Sequence, residues 1–135
     1  MKVDGSCHCG AITFEAEVDP AGSRICHCTD CQTMSGSAFR TVVPVAEADF
    51  KILTGEPKAY IKTAESGNRR IQGFCGDCGT ALFATSADGE GPKTYGLRLG
   101  SISQRDQLPP KAQIWTRSAQ PWLATLGSVP GSEKQ

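Results

Sequence analysis

No stretch of this chain approaches the roughly 18 consecutive apolar residues needed to span a bilayer, and its start, MKVDGSCHCG, lacks the apolar core of a secretion signal. No membrane association is expected, and the cytoplasm is the expected compartment. Charge excess is missing too: 14 Lys and Arg balance 14 Asp and Glu, for a formal net charge of zero. A nucleic-acid binder usually carries a basic surplus to neutralise phosphates, so no nucleic-acid partner is expected. Histidine is scarce, with only His8 and His27, and no Ser-His-Asp triad or phosphate-cradling glycine loop can be assembled. At 135 residues the chain has room for one modest core.

Cysteine is absent from most of the sequence and dense in three places: Cys7-x-Cys9, Cys26-x-Cys28-x2-Cys31 and Cys75-x2-Cys78. Disulfide cysteines are usually scattered to close longer loops, whereas thiolates two or three residues apart can grip one small cation. An odd number of thiols in a reducing compartment also fits metal binding better than a disulfide framework. Seven divides as four plus three. A closed structural zinc site takes four protein ligands, and a catalytic one takes three and keeps a position open.

Short segments of period-two alternation dominate the rest. Ile12, Phe14, Ala16 and Val18 share one face of a strand, with Thr13, Glu15 and Glu17 on the other. Further strands are expected at Phe39–Val43, Phe50–Leu53, Ala59–Lys62, Arg69–Phe74, Thr80–Ala84, Tyr95–Leu99 and Gln113–Thr116, separated by turn residues. The expected fold is mainly β, a single domain of short antiparallel strands over residues 1–126, with a flexible polar tail at 127–135. Helix is limited to Cys31–Met34, capped by Thr29 or Asp30, and Gln104–Gln107, capped by Ser103.

Cys75-Gly76-Asp77-Cys78-Gly79 has the composition of a zinc knuckle, and Cys7-His8-Cys9-Gly10 offers a second short arm before a strand. Brought together, the arms complete a four-thiolate site and leave Cys26, Cys28 and Cys31 as a three-ligand set. Spacing alone leaves open a partition in which that set borrows a ligand from another arm. Each histidine sits between two cysteines, so in extended chain its ring points away from their metal and is expected in a hydrogen-bonded outer shell. His27 bending toward the three cysteines would close the open site. Arg40, Arg69, Arg70 and Arg98 are candidates to stabilise added negative charge, weighed against an ordinary role as solvated strand-face charges. Ser35-Gly36-Ser37 reads equally as a substrate-facing segment or a plain turn, and Trp115 and Trp122 more readily as core than as pocket wall.

The chain resembles the glutathione-dependent formaldehyde-activating enzyme family, which also includes centromere-protein-V-like proteins. The resemblance rests on Gly5-Ser6-Cys7-His8-Cys9-Gly10-Ala11 with Phe14, Cys26-His27-Cys28-Thr29-Asp30-Cys31-Gln32, Ser35-Gly36-Ser37-Ala38-Phe39, Phe50 to Gly55, Phe74-Cys75-Gly76-Asp77-Cys78-Gly79-Thr80, Gly100-Ser101, Ile114-Trp115 and Pro121-Trp122. It implies a zinc-stapled, tent-like β fold with two zincs: a structural one on Cys7, Cys9, Cys75 and Cys78, and a catalytic one on Cys26, Cys28 and Cys31. The implied activity is that of a carbon-sulfur lyase or synthase, joining glutathione or another small thiol to a small aldehyde. A non-catalytic interaction module with both zincs structural is the competing expectation. Ser103 and Gln113 depart from the family pattern, which often has an acidic residue and a histidine there; neither is a proposed ligand.

Overall fold

In the computed structural model, which describes residues 1–135, the alternating segment around Phe14 forms β2 (Thr13–Glu17). Phe14 and Ala16 are buried while Glu15 and Glu17 face solvent. β2 lies between β1 (Lys2–Ser6) and β5 (Phe50–Thr54) in a three-stranded antiparallel sheet. β1 has no counterpart among the expected strands, because Asp4 and Gly5 are poor strand formers. Pairing with β2 holds it in place, setting Val3 opposite Ala16 and Gly5 opposite Phe14.

Seven further strands are β3 (Arg24–Cys26), β4 (Arg40–Ala46), β6 (Lys58–Thr63), β7 (Arg69–Phe74), β8 (Ala81–Ser86), β9 (Thr94–Arg98) and β10 (Ala112–Ile114). They form one sheet in the order β10-β3-β4-β9-β8-β7-β6. The expected mainly β architecture of short antiparallel strands is therefore present, with one parallel pair, β10 beside β3. Antiparallel partners point their side chains the same way, so register sorts this sheet into two faces. Val43, Leu97 and Phe83 make one cross-strand row that joins the core shared with the smaller sheet. Phe50 links the two sheets, with ring centroids 5.8 Å from Phe14 and 5.7 Å from Phe83. The reverse face carries Cys26 opposite Arg40, Val42 between Arg24 and Arg98, and Gly96 opposite Ala84, which in turn faces Gln72.

The one α-helix, α1 (Thr29–Ser35), starts earlier than expected because Cys28 caps it: its Sγ accepts the Cys31 N–H at 3.3 Å. Thr29 and Asp30 instead occupy the first turn. Ser35 and Gly36 close the helix, Gly36 in the left-handed conformation, so this segment serves as a helix C-cap. The second expected helix is a 3₁₀ turn at Arg105–Gln107, with Gln104 before it. Ser103 instead donates its hydroxyl to the Asp4 carboxylate at 2.7 Å, and so helps fasten β1. A run of 3₁₀ turns spans Pro121–Ser128, and residues 129–135 form neither helix nor strand. No helix is long and apolar enough to cross a membrane.

Candidate metal centres and the adjoining cavity

Two similar turns build the four-thiol cluster. In one, Cys7 N–H donates to Ile12 and Gly10 N–H to Cys7; in the other, Cys75 N–H donates to Thr80 and Gly79 N–H to Cys75. Gly10 and Gly79 have φ of 80° and 75°, the left-handed geometry that lets each chain fold back on its first cysteine. The first turn belongs to the small sheet and the second to the large one, and His8 N–H bridges them by donating to Thr80 Oγ1 at 3.0 Å. All four sulfurs lie within 4.8 Å of one another, with Cys7 to Cys9 at 3.6 Å and Cys9 to Cys75 at 3.8 Å. Four sulfurs held 2.3 Å from a common tetrahedral centre would stand about 3.8 Å apart, so this set fits a zinc ion. As thiols they cannot all ionise together. Cys78 is drawn down to about 5 by Thr80, while Cys9 is held up at about 12 by Cys7 and the neighbouring sulfurs, against the pull of the Ala11 N–H.

Cys26, Cys28 and Cys31 form the second cluster, again with all sulfurs within 4.8 Å. Cys26 ends β3, Cys28 caps α1 and Cys31 stands in its first turn, so one short strand-to-helix corner supplies all three. Cys26 is lowered to about 5, chiefly by its hydrogen bond with Cys31 and with help from the Lys62 charge; Cys31 is driven far up by Cys26 and by burial. Such a crowd of thiols ionises fully only when a cation joins it. No His, Asp or Glu completes this cluster. His27 is buried and turned away, its Nε2 2.7 Å from Gln113 Oε1 and its ring edge-on to Phe39. His8 is exposed and belongs to neither cluster.

Beside the three thiols, the reverse face of the large sheet hollows into a cavity of about 440 Å³. Its charged lining is Arg24, Arg40, Arg70, Arg98 and Lys62 against a single carboxylate, Asp30. Lys62 pairs with Asp30 at 2.8 Å, joining β6 to α1. Three of the four candidate arginines thus reach the cavity. Arg69 does not; it forms a two-pronged ion pair with Asp88 at the surface. Burial lowers Arg98 to about 10, with Arg40 beside it acting the same way. Trp115 also lines the cavity, 40% exposed, with φ of 57° and the Arg117 guanidinium 5.0 Å from its ring centroid. Trp122 is 49% exposed, so neither tryptophan is core. Lys62, Arg24 and Gln72 were not singled out in the sequence, and Gln113, which holds His27, was marked only as a departure from the family pattern.

A family model described as glutathione-dependent formaldehyde-activating enzyme matches residues 2–118. The chain belongs to the glutathione-dependent formaldehyde-activating enzyme family. Both thiol clusters and all ten strands lie inside the part that matches the glutathione-dependent formaldehyde-activating enzyme model. A curated relative from Halomonas elongata, named "Putative glutathione-dependent formaldehyde-activating enzyme", is 30% identical over 87 residues. That alignment takes in 62% of this chain and 55% of the relative, little more than half of its length. The crystal structure of a Rhodobacter sphaeroides protein shares the fold, with a TM-score of 0.62 and 22% identity over 82% of this chain and 98% of that one.

Proposed function

We propose that this chain is a zinc-dependent carbon-sulfur lyase or synthase that joins the thiol of glutathione, or a similar small thiol, to a small aldehyde such as formaldehyde, giving S-hydroxymethylglutathione or running in reverse. The observation that carries this reading is a three-thiol cluster, lacking a fourth protein donor, at the wall of a cationic cavity. In this reading Cys7, Cys9, Cys75 and Cys78 hold a structural zinc, and Cys26, Cys28 and Cys31 a catalytic one. Residues 1–126 are the working unit and 127–135 an appended tail. Seven free thiols suit a reducing compartment such as the cytoplasm.

A zinc held by Cys26, Cys28 and Cys31 would supply a soft, open position that favours the ionised, still nucleophilic form of a thiol. The protein's share is charge and placement. With a zinc held there, three protein thiolates and a substrate thiolate would together exceed the ion's charge by two. The cationic lining offsets that charge and draws in a peptide bearing two carboxylates. The Cys31 N–H fixes the Cys28 sulfur, and Lys62, tied to Asp30, stands close enough to favour ionised Cys26. Carbon-sulfur bond formation then needs only a proton delivered to the former carbonyl oxygen, and the reverse step returns it.

Metal analysis combined with glutathione titration of wild type and Cys28→Ser tests the reading. Two zincs per wild-type chain are expected, with one lost or bound at least tenfold more weakly in the variant and the fold retained. A single zinc in the wild type, or no effect of glutathione on either metal, would sink it.

A further inference from the structure

Two guanidiniums lining the cavity have no carboxylate partner in the chain, and the negative charge nearest Arg98 is that of the Cys31 and Cys26 thiols. Arg40 and Arg98 are 6% and 8% exposed, and neither forms an ion pair. Both donate to one neutral acceptor, Gln72 Oε1, from Arg40 Nη1 at 3.3 Å and Arg98 Nη2 at 2.8 Å. Arg40 Nη2 and Arg98 Nε are buried and have no hydrogen-bond partner within the chain. Buried charges are normally paired, and buried N–H groups are normally satisfied, because each violation raises the free energy of the folded state. Here both rules fail at the same place. Such an arrangement persists when a ligand supplies what the protein withholds.

Register says where that ligand lies. Arg40 is the cross-strand partner of Cys26, and Arg98 is the partner of Val42, two residues along the same strand. The free donors therefore stand on the same face as Cys26, Arg40 one strand away from it and Arg98 two. Planar guanidiniums with spare N–H groups match a carboxylate, which accepts in pairs.

From this geometry we infer that Arg40, Arg98 and Gln72 form a carboxylate-binding subsite that fixes one substrate beside the reacting sulfur. The inference rests on the thiol-plus-aldehyde reading and deepens it. The carboxylate belongs either to the thiol substrate or to an aldehyde that is itself an acid, and the experiment separates these sources.

The zinc-loaded full-length protein is titrated calorimetrically with S-methylglutathione, which has no thiol to offer a metal, with its diethyl ester, and with glyoxylate. Wild type is compared with Arg98→Met. At least tenfold weaker binding of S-methylglutathione on esterification and in the variant places the thiol substrate's carboxylate in the subsite. The same loss for glyoxylate alone places the aldehyde's carboxylate there. Because the substitution removes an unpaired buried charge, Arg98→Met is expected to melt at or above the wild-type temperature. Equal binding of both ligands by variant and wild type, or binding of neither by wild type, overturns the subsite. A variant melting well below wild type makes the pair a structural brace and overturns it too. Glutathione binding that survives such failures leaves the thiol-capture reading standing, so the two proposals fail separately.

Discussion

At the scale of single residues, the two groups of cysteines differ in what surrounds them. Cys7 and Cys75 are 2% and 1% exposed and belong to the main core cluster, so a change at either is felt by both sheets. Cys28 and Cys31 are half-buried at the cavity wall. Cys75→Ser is therefore expected to lower Tm by roughly 10 °C or more, or to abolish cooperative melting, through loss of a structural metal and a core contact. Cys28→Ser should move Tm by less than about 5 °C. Thermal melts of the two variants beside wild type check the contrast, and equal effects would mean that the clusters do not divide into structural and working sites.

At the scale of strands, the cavity exists because the middle of the reverse face is built from small side chains. Gly96 of β9 lies between Pro44 of β4 and Ala84 of β8. A Cβ placed on Gly96 would meet nothing closer than the Ala84 carbonyl oxygen at 3.8 Å, so a larger residue would grow into the cavity without disturbing the backbone. Gly96→Leu should consequently weaken glutathione binding at least tenfold while shifting Tm by only a few degrees. Calorimetry and a melt on the same sample decide it; unchanged binding would place the ligand elsewhere. The opposite side of the same strands is unforgiving, because Val43 and Leu97 are fully buried there. β4 thus carries buried residues on both faces, which explains why simple alternation identified only its first part.

At the scale of the whole molecule, two sheets meet across one core, and the four-thiol cluster clips a turn of one to a turn of the other. A structural zinc contributes about 10–16 kcal/mol in small zinc domains at neutral pH. Net domain stabilities are only about 5–15 kcal/mol. On the proposed assignment, removing a zinc from this cluster is therefore expected to unfold the chain, and emptying the cavity cluster is expected to leave it folded. Stepwise chelation followed by circular dichroism and zinc release should show one zinc leaving before any loss of structure and the second leaving with it. Simultaneous release of both would show that the cavity cluster also supports the fold.

Much of this was legible in the chain order. The spacing of the seven cysteines marked three local arms, since thiols two or three residues apart reach one point whatever the rest of the fold does, but only the tertiary structure brought the first and third arms into one cluster. Clean alternation marked β2, and the flanking Cys-x-Cys geometry turned His27 away from its neighbours' cluster. The rest depended on partners distant in sequence. β1 and the three-residue β3 have weak local signals and exist through pairing with β2 and β4. Arg69 and Arg70 are adjacent, yet one pairs with Asp88 at the surface and the other lines the cavity, because successive side chains of a strand point to opposite faces. Arg40 and Arg98 meet at Gln72 only because β4, β9, β8 and β7 pair in one particular register. Ligand spacing is a local property and survives any arrangement of the chain. Burial of a charge is a collective one, fixed when the core chose which face of the sheet to cover.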